Sequence, residues 1–156
     1  MIREFNKNDR ENLCELIESI NEFTANEKEV AVELIDDAIN NPESTYKIFV
    51  HTENELIDGY YCIGKRALTE GVHDLYWIAV KPDCQSKGIG KQLIEHAENY
   101  VEKNSGSWLL IETSSKDNYE KTRGFYLRNF YSIVAEIKDF YRDGDDLIIF
   151  GKYLKS

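Results

Sequence analysis

The spacing of apolar and polar residues predicts two helices in the N-terminal part of the chain. Apolar residues recur at helical spacing from Leu13 to Ile20, after a polar helix start. A second helix begins at Thr24, where Glu27 completes a capping box, and its apolar face runs from Val30 to Ile39. This helix must end before Pro42, because a proline ring excludes the helical conformation of the preceding residue.

The rest of the chain alternates between strand-like and helix-like patterns. Runs of apolar and β-branched residues bounded by polar turns indicate strands, and apolar residues three and four apart indicate helices. These patterns predict strands over Ile2–Phe5, Tyr46–His51, Leu56–Lys65, His73–Val80 and Trp108–Glu112, helices over Ile89–Glu102 and Tyr119–Asn129, and a closing hairpin of Tyr131–Phe140 and Leu147–Leu154.

The order of these elements predicts the fold class. Strands in close succession favour antiparallel pairing, whereas the strand–helix–strand unit from Leu75 to Ile111 favours a parallel pair with a right-handed crossover. We expect a mixed α/β (α+β) protein with a mostly antiparallel sheet of about seven strands flanked by four helices. The length of 156 residues predicts one domain over residues 1–156.

Composition excludes several classes of function. A net charge of −10 argues against nucleic-acid binding, which needs a basic patch. No apolar run approaches the roughly 20 residues of a membrane span, and Met1 to Phe5 lacks the basic and apolar regions of a signal peptide. We therefore expect a cytoplasmic protein without a membrane partner.

No metal site is expected from the sequence. Cys14, Cys62 and Cys84 lack the spacing of a zinc site or a disulfide framework, and no pair of histidines has metal-ligand spacing. The segment that begins at Asp139 resembles a calcium loop only superficially, because Tyr141 occupies a position that calls for an oxygen ligand.

The most informative segment lies between the strand ending at Val80 and the following helix. Residues Gln85 to Lys91, named here the glycine loop, contain Gly88 and Gly90. Glycines allow close backbone approach, and the N–H groups and dipole of a helix start favour a phosphate group. The segment therefore predicts a site for a phosphorylated cofactor.

Two common nucleotide motifs do not fit this loop. A Walker loop would place glycine at Gln85 and serine or threonine at Gln92. A dinucleotide fingerprint would place a third glycine at Leu93.

The remaining pattern, Gln85-x-x-Gly88-x-Gly90 after Val80-x-Pro82, resembles the pyrophosphate loop of the GNAT superfamily of acyl-coenzyme A N-acyltransferases. The predicted order of elements is similar along nearly the whole chain. Residues Thr122 to Tyr131 also resemble the late helix of that family. Asn129 stands there in place of a glycine, and asparagine tolerates the left-handed conformation.

The resemblance implies a sheet whose fourth and fifth strands splay apart around the pantetheine arm of acetyl-CoA. The pyrophosphate would rest on the glycine loop, with positive charge added by lysines, and backbone groups of the fourth strand would contact the thioester arm. An asparagine before the late helix often contacts the same arm. By this resemblance the cofactor-binding residues are Ile78, Ala79, Val80, Gln85, Ser86, Lys87, Gly88, Ile89, Gly90, Lys91, Asn118 and Tyr126.

The resemblance also supplies candidates for proton transfer. Tyr126 matches the frequent catalytic tyrosine, and a phenol with a pKa of about 10 can donate a proton to a leaving thiolate. Asp74 matches a position where some members carry a general base, and Glu112 at the end of the next strand is its rival. An acceptor pocket would draw on Tyr60, Tyr61, Tyr76 and Trp77, of which strand alternation should place about half in the core.

We expect an acetyl-CoA-dependent N-acetyltransferase that uses direct transfer in a ternary complex. The expected partner is an amine-bearing small molecule or protein, and homodimers are common in the family. Two alternatives remain: a non-catalytic acyl-CoA-binding domain on the same scaffold, and a transferase of longer acyl groups.

Overall fold

A seven-stranded sheet runs through the structure, a computed structural model that describes residues 1–155. The strand order is β1-β2-β3-β4-β5-β7-β6, and only β4 and β5 pair in parallel. The strands are β1 (Ile2–Glu4), β2 (Tyr46–Glu53), β3 (Leu56–Lys65), β4 (Val72–Val80), β5 (Trp108–Ser114), β6 (Ser132–Arg142) and β7 (Asp145–Tyr153).

Four α-helices flank the sheet, and the predicted order of elements and fold class are confirmed. Among residues 1–155, no helix has the length and apolarity needed to cross a membrane. The helices are α1 (Arg10–Glu18), α2 (Ala25–Asn40), α3 (Ile89–Lys103) and α4 (Glu120–Arg128), with short 3₁₀ turns at Lys7–Asp9, Pro82–Cys84 and Asp117–Tyr119.

The two faces of the sheet carry separate cores. On one face α1 and α2 pack on β2 and β3, with Leu16 and Ile35 fully buried. On the other face α3 and α4 cover β3 to β7, with Leu93 and Phe150 fully buried. Because successive side chains of a strand point to opposite faces, the apolar residues of the central strands contribute to both cores.

Local sequence determines where α2 begins. The Thr24 hydroxyl accepts a hydrogen bond from the Glu27 N–H at 3.1 Å, and the Glu27 carboxylate accepts one from the Thr24 N–H at 3.3 Å. This is the predicted capping box, which satisfies two N–H groups at the helix start. The helix ends at Asn40, two residues before Pro42.

A bulge in β4 separates this strand from β5. Cys62 of β3 pairs with Trp77, but Ile63 pairs with Leu75, so Tyr76 is an extra residue in β4. A bulge bends its strand and increases the local twist. We call the separated segments, residues 75–80 of β4 and 111–114 of β5, the splay. The two strands pair only at Val72 with Trp108, His73 with Leu109, and Asp74 with Leu110.

The end of α4 differs from the sequence-based expectation. Asn129 has φ of −96°, and the left-handed residue is the next one, Phe130, with φ of 69°. The N–H of Tyr131 donates to the Tyr126 carbonyl at 3.0 Å, which closes the helix one residue later than expected. Asn129 remains on the helix because its own N–H donates to the Phe125 carbonyl.

Replacement of Leu93 by alanine should lower the free energy of unfolding by about 2–5 kcal/mol, because it leaves a cavity between α3 and the sheet. Leu127→Ala is the matched control, since this α4 leucine is 54% exposed and should change stability by less than about 1 kcal/mol. Urea denaturation of both variants measures the difference. Equal losses would contradict the assignment of Leu93 to the core.

Candidate functional site

The splay exposes one edge of β4 within the sheet. Residues 78 to 80 pair with β3 on one side and make no ladder contact with β5 on the other, within the part of the chain that the structure describes. Ile78 and Val80 direct their side chains to the α3 core, and Ala79 faces the α1–α2 core. The side chains are therefore packing residues, and the backbone is what this edge offers to a bound molecule.

The glycine loop connects this edge to α3. The Gln85 side chain donates to the Val80 carbonyl at 3.2 Å and accepts from the Lys121 ammonium at 3.2 Å. Gln85 therefore holds the loop between the end of β4 and the start of α4. These two hydrogen bonds give the glutamine of the motif a structural role in this loop.

The backbone of the loop fits an anion such as a pyrophosphate. Ser86 and Gly88 have φ of 68° and 81°, and a Cβ atom on Gly88 would meet no atom within 4 Å. Among residues 1–155, the N–H groups of residues 86 to 91 have no hydrogen-bond acceptor. Free N–H groups at a helix start, with open space in front of them, form an anion site.

The other loop residues have different tasks. A Cβ atom on Gly90 would lie 3.1 Å from the Phe125 ring, so this glycine lets α4 approach α3. Ile89 is buried in the α3 core and anchors the loop through its side chain. Lys87 is exposed, and the Lys91 ammonium lies 3.9 Å from the Glu95 carboxylate, a solvent-exposed pair that contributes little to stability.

The two candidate general bases lie together at the splay. Asp74 is the last residue of β4 paired with β5, and the Arg66 guanidinium donates to both its carboxylate oxygens at 2.7 to 3.2 Å. The same guanidinium lies 3.6 Å from the Glu112 carboxylate. Hydrogen bonds with Asp74, and then its charge, raise the pKa of Arg66. We call Arg66, Asp74 and Glu112 the carboxylate–arginine cluster.

The cluster lies on the α1–α2 face of the sheet. Leu109 and Ile111 of β5 point into the α3 core, so the alternate residues Leu110 and Glu112 point to the opposite face. The side chain of Glu112 is 47% exposed, whereas that of Asp74 is 9% exposed. Sequence analysis missed Arg66, whose signal is its place directly after a strand that pairs with the strand of Asp74.

Tyr126 lies on the other face, in the α3 core. It is 4% exposed, and its ring centroid lies 5.4 Å from that of Phe150 and 5.7 Å from that of Phe125. Burial raises the pKa of the phenol above its ordinary value. A phenol in this state keeps its proton at neutral pH and is suited to donate rather than to accept one.

Asn118 and Tyr119, in the turn between β5 and α4, contact the α1–α2 connection and the first turn of α2, respectively. The Asn118 amide donates to the Glu22 carbonyl at 3.2 Å, and the Tyr119 hydroxyl donates to the Glu27 carboxylate. Burial and the hydrogen bond with Glu27 raise the pKa of Tyr119. The Asn118 side chain thus points to the α1–α2 segment in this structure.

Aromatic residues surround the cluster on the same face. Tyr60 and Tyr61 are fully buried, which leaves Tyr76 and Trp77 of the four predicted acceptor-pocket residues. The bulge directs both toward the α1–α2 face, where Phe23 contacts the Trp77 ring at 5.0 Å between centroids. Burial, followed by the Asp74 charge, raises the pKa of Tyr76 to about 12.

Tyr141 also approaches this region, and sequence analysis did not identify it. Four residues of β6, from 138 to 141, oppose one residue of β7, and this bulge redirects the strand. Burial and the charges of Glu112, Asp145 and Glu27 raise the pKa of Tyr141. Within residues 1–155, no group of three or more His, Cys, Asp or Glu is arranged to hold a metal ion.

Comparison with known families identifies one match. The family model for an acetyltransferase (GNAT) domain matches residues 44–132. The matched stretch contains the splay, the glycine loop and α4. No curated protein matches the chain by sequence.

Solved structures match the whole chain. A crystal structure of a GNAT-family protein from Desulfovibrio desulfuricans is 36% identical, with a TM-score of 0.94 and 99% of both chains covered. The ribosomal-protein-S18-alanine N-acetyltransferase from Escherichia coli is 20% identical, with a TM-score of 0.77, covering 100% of this chain and 94% of that one. An aminoglycoside 6'-N-acetyltransferase complexed with coenzyme A is 17% identical, with a TM-score of 0.77, covering 100% of this chain and 98% of that one. The latter two show similarity of fold alone.

Replacement of Tyr119 by phenylalanine should loosen the α1–α2 connection, because it removes the hydrogen bond to Glu27. A hydrogen bond to a charged group contributes about 1.5–3 kcal/mol. We therefore expect the Ile20 and Phe23 amides to exchange with solvent about tenfold faster or more. Hydrogen exchange followed by NMR measures this, and Tyr153→Phe at an exposed tyrosine is the control. Unchanged exchange at both amides would show that the contact does not hold this segment.

Proposed function

The chain belongs to the GNAT acetyltransferase family, and we propose that it moves an acetyl group from acetyl-CoA to a primary amine of a small molecule or protein. The transfer is direct, within a ternary complex. The observation that carries this proposal is the arrangement around the splay. The glycine loop lies at one end of the exposed β4 edge, and the carboxylate–arginine cluster lies at the other.

The glycine loop holds the pyrophosphate of the donor in this proposal. The free N–H groups of residues 86 to 91 donate to phosphate oxygens, with Lys87 and Lys91 adding positive charge. The exposed edge of residues 78 to 80 pairs with the amide groups of the pantetheine arm. Acetyl-CoA supplies an activated acyl group as a thioester, and a β4 N–H polarises its carbonyl.

The acceptor approaches from the α1–α2 face. An alkyl ammonium has a pKa of about 10.4 and must lose a proton before its nitrogen can attack. The carboxylates of Asp74 and Glu112 are the proton acceptors that this face offers at the splay. Tyr76, Trp77 and Tyr141 provide the walls for the carbon skeleton of the acceptor.

Tyr126 completes the chemistry from the other face. Its phenol keeps a proton, as burial requires, and donates it to the departing sulfur. Asn118 contributes to donor binding if its amide turns from the Glu22 carbonyl toward the pantetheine arm. In this proposal residues 1–156 form one acetyltransferase domain.

The activity itself is tested with a panel of amines and measurement of free thiol released from acetyl-CoA. The panel includes a peptide with N-terminal alanine and an aminoglycoside, because two proteins of similar fold are named as an alanine N-acetyltransferase and an aminoglycoside N-acetyltransferase. Competition among acetyl-CoA, succinyl-CoA and CoA distinguishes an acetyl donor from a longer one. Binding of CoA without thiol release from any amine would favour a non-catalytic acyl-CoA-binding domain.

Replacement of Gly88 by valine should raise the dissociation constant of CoA about tenfold or more. A branched residue at φ of 81° is strained by roughly 1–2 kcal/mol. If the loop backbone shifts to relieve this strain, the N–H groups no longer surround the anion site. Gly144→Val is a matched control, because this glycine has φ of 79° and equally open surroundings but lies in the β6–β7 turn. Isothermal titration calorimetry measures the affinity. Equal CoA affinities in the two variants would place the pyrophosphate elsewhere.

Replacement of Tyr126 by phenylalanine should lower kcat about 100-fold while leaving the affinity for CoA within about twofold, since general acid catalysis contributes about 10²–10⁴-fold. Tyr131→Phe is the matched control, because its hydroxyl donates to the Glu98 carboxylate at 3.0 Å in the same aromatic cluster. Steady-state kinetics with the best amine of the panel measures both. An unchanged kcat in Tyr126→Phe would remove this residue from catalysis.

A further inference from the structure

Arg66 joins the two strands that part at the splay. Its Nε atom lies 3.0 Å and 3.2 Å from the two carboxylate oxygens of Asp74, and its Nη2 atom lies 2.7 Å from one of them. The same Nη2 atom lies 3.6 Å from an oxygen of Glu112. Because Asp74 belongs to β4 and Glu112 to β5, one guanidinium spans the point where the strands separate.

The contacts of Arg66 with the two carboxylates lie where the pairing of β4 and β5 ends. Asp74 pairs with Leu110 in the last ladder pair of β4 and β5. Glu112 comes two residues after Leu110, so it is the first residue of the splay on the same face. Arg66 therefore connects Asp74, the last residue of β4 that pairs with β5, to Glu112, the first side chain on this face beyond the paired segment.

The two carboxylates of the cluster are not equivalent. Asp74 is nearly buried and uses both oxygens in charge-assisted hydrogen bonds. A proton on that carboxylate would break these bonds and leave a guanidinium without its partner. Glu112 is 47% exposed and meets Arg66 only at 3.6 Å, so its lone pairs remain available. The geometry favours Glu112 for accepting a proton and Asp74 for holding the arginine.

We propose that Arg66 is a positioning residue that acts through Glu112. Asp74 anchors the guanidinium, the guanidinium holds the Glu112 carboxylate at the edge of the splay, and Glu112 accepts the proton of the acceptor amine. This inference rests on the proposed acetyltransferase function. It divides the two candidate bases into one anchor and one base.

The proton and electron balance of the step is complete with these groups. Glu112 accepts one proton from the acceptor ammonium, directly or through water, and later releases it to solvent. The freed lone pair forms a bond from nitrogen to the thioester carbonyl carbon, and the bond from that carbon to sulfur breaks. The nitrogen gives up its second proton and the sulfur takes one, so the products are an amide, a thiol and one proton.

The first experiment compares pH profiles of kcat/KM for wild type, Arg66→Met and Arg66→Lys. Loss of the cation beside Glu112 should lower kcat/KM about tenfold and move the acid limb upward by about half to one pH unit, less than for a buried pair. Arg66→Lys should give a pH profile between those of wild type and Arg66→Met, because lysine keeps the positive charge but lacks the planar guanidinium that binds two carboxylate oxygens at once. The affinity for CoA should stay within about twofold.

Arg10→Met is the matched control for this experiment. Arg10 makes a bidentate pair with Asp36 at 2.5 Å and 3.0 Å, on the exposed surface of α1 and α2. Its loss should leave the acid limb in place. An equal movement of the acid limb in both variants would overturn the proposal by showing a general effect of charge.

The second experiment separates the anchor from the base. Glu112→Gln should abolish the acid limb, whereas Asp74→Asn should retain it, because Glu112 still titrates. The double variant Arg66→Met with Asp74→Asn should lose little more activity than Arg66→Met alone, since the two residues act as a unit. Loss of the acid limb in Asp74→Asn, with its retention in Glu112→Gln, would overturn the proposal and make Asp74 the base.

A third experiment needs no turnover. The side-chain carboxyl carbon of Glu112 is followed by ¹³C NMR across a pH titration, with Glu112→Gln identifying its signal. The titration midpoint of Glu112 should be higher in Arg66→Met, and to a smaller extent in Arg66→Lys, than in wild type, because these variants remove or displace the cation beside the carboxylate. Arg66→Lys serves if Arg66→Met does not fold. Absence of thiol release by wild type would refute the proposed function, whereas an unmoved Glu112 midpoint would refute the role of Arg66.

Discussion

The bulge at Tyr76 is the constraint on which the rest of the site depends. It adds one residue to β4 opposite the pair Cys62 and Ile63, and the pairing with β5 ends at Asp74, two residues before it. A regular parallel pair would have covered the backbone groups of residues 78 to 80. The bulge also directs two successive aromatic side chains, Tyr76 and Trp77, toward the α1–α2 face. A single inserted residue thus accompanies the exposed backbone edge and turns two aromatic side chains toward one face.

The two faces of the sheet carry different polar groups. The α1–α2 face carries charged groups, with Arg66 between two carboxylates. The α3 face carries a buried phenol, Tyr126, among aromatic rings. Burial raises the pKa of this phenol, whereas the two carboxylates share the cation of Arg66, so the two faces offer polar groups of different character.

Most of the fold could be predicted from the sequence. The capping box at Thr24, the proline after α2 and the glycine loop each signal a local structure that the neighbouring residues determine. The roles of Gln85 and Asn129 were not readable, because they depend on contacts with Lys121 and on the conformation of Phe130. Arg66 and Tyr141 were missed for the same reason. Their importance follows from strand register and from a bulge in β6, which a single sequence does not specify.

The contact between Gly90 and Phe125 has a consequence for how such a chain can change over time. The phenylalanine ring occupies the space that a side chain at position 90 would need. A methyl group at position 90 would lie 3.1 Å from this ring, so an alanine there requires the ring, or the helix that carries Tyr126, to move by a few tenths of an ångström. Substitutions in the glycine loop and in the late helix are therefore constrained by one another at these two positions.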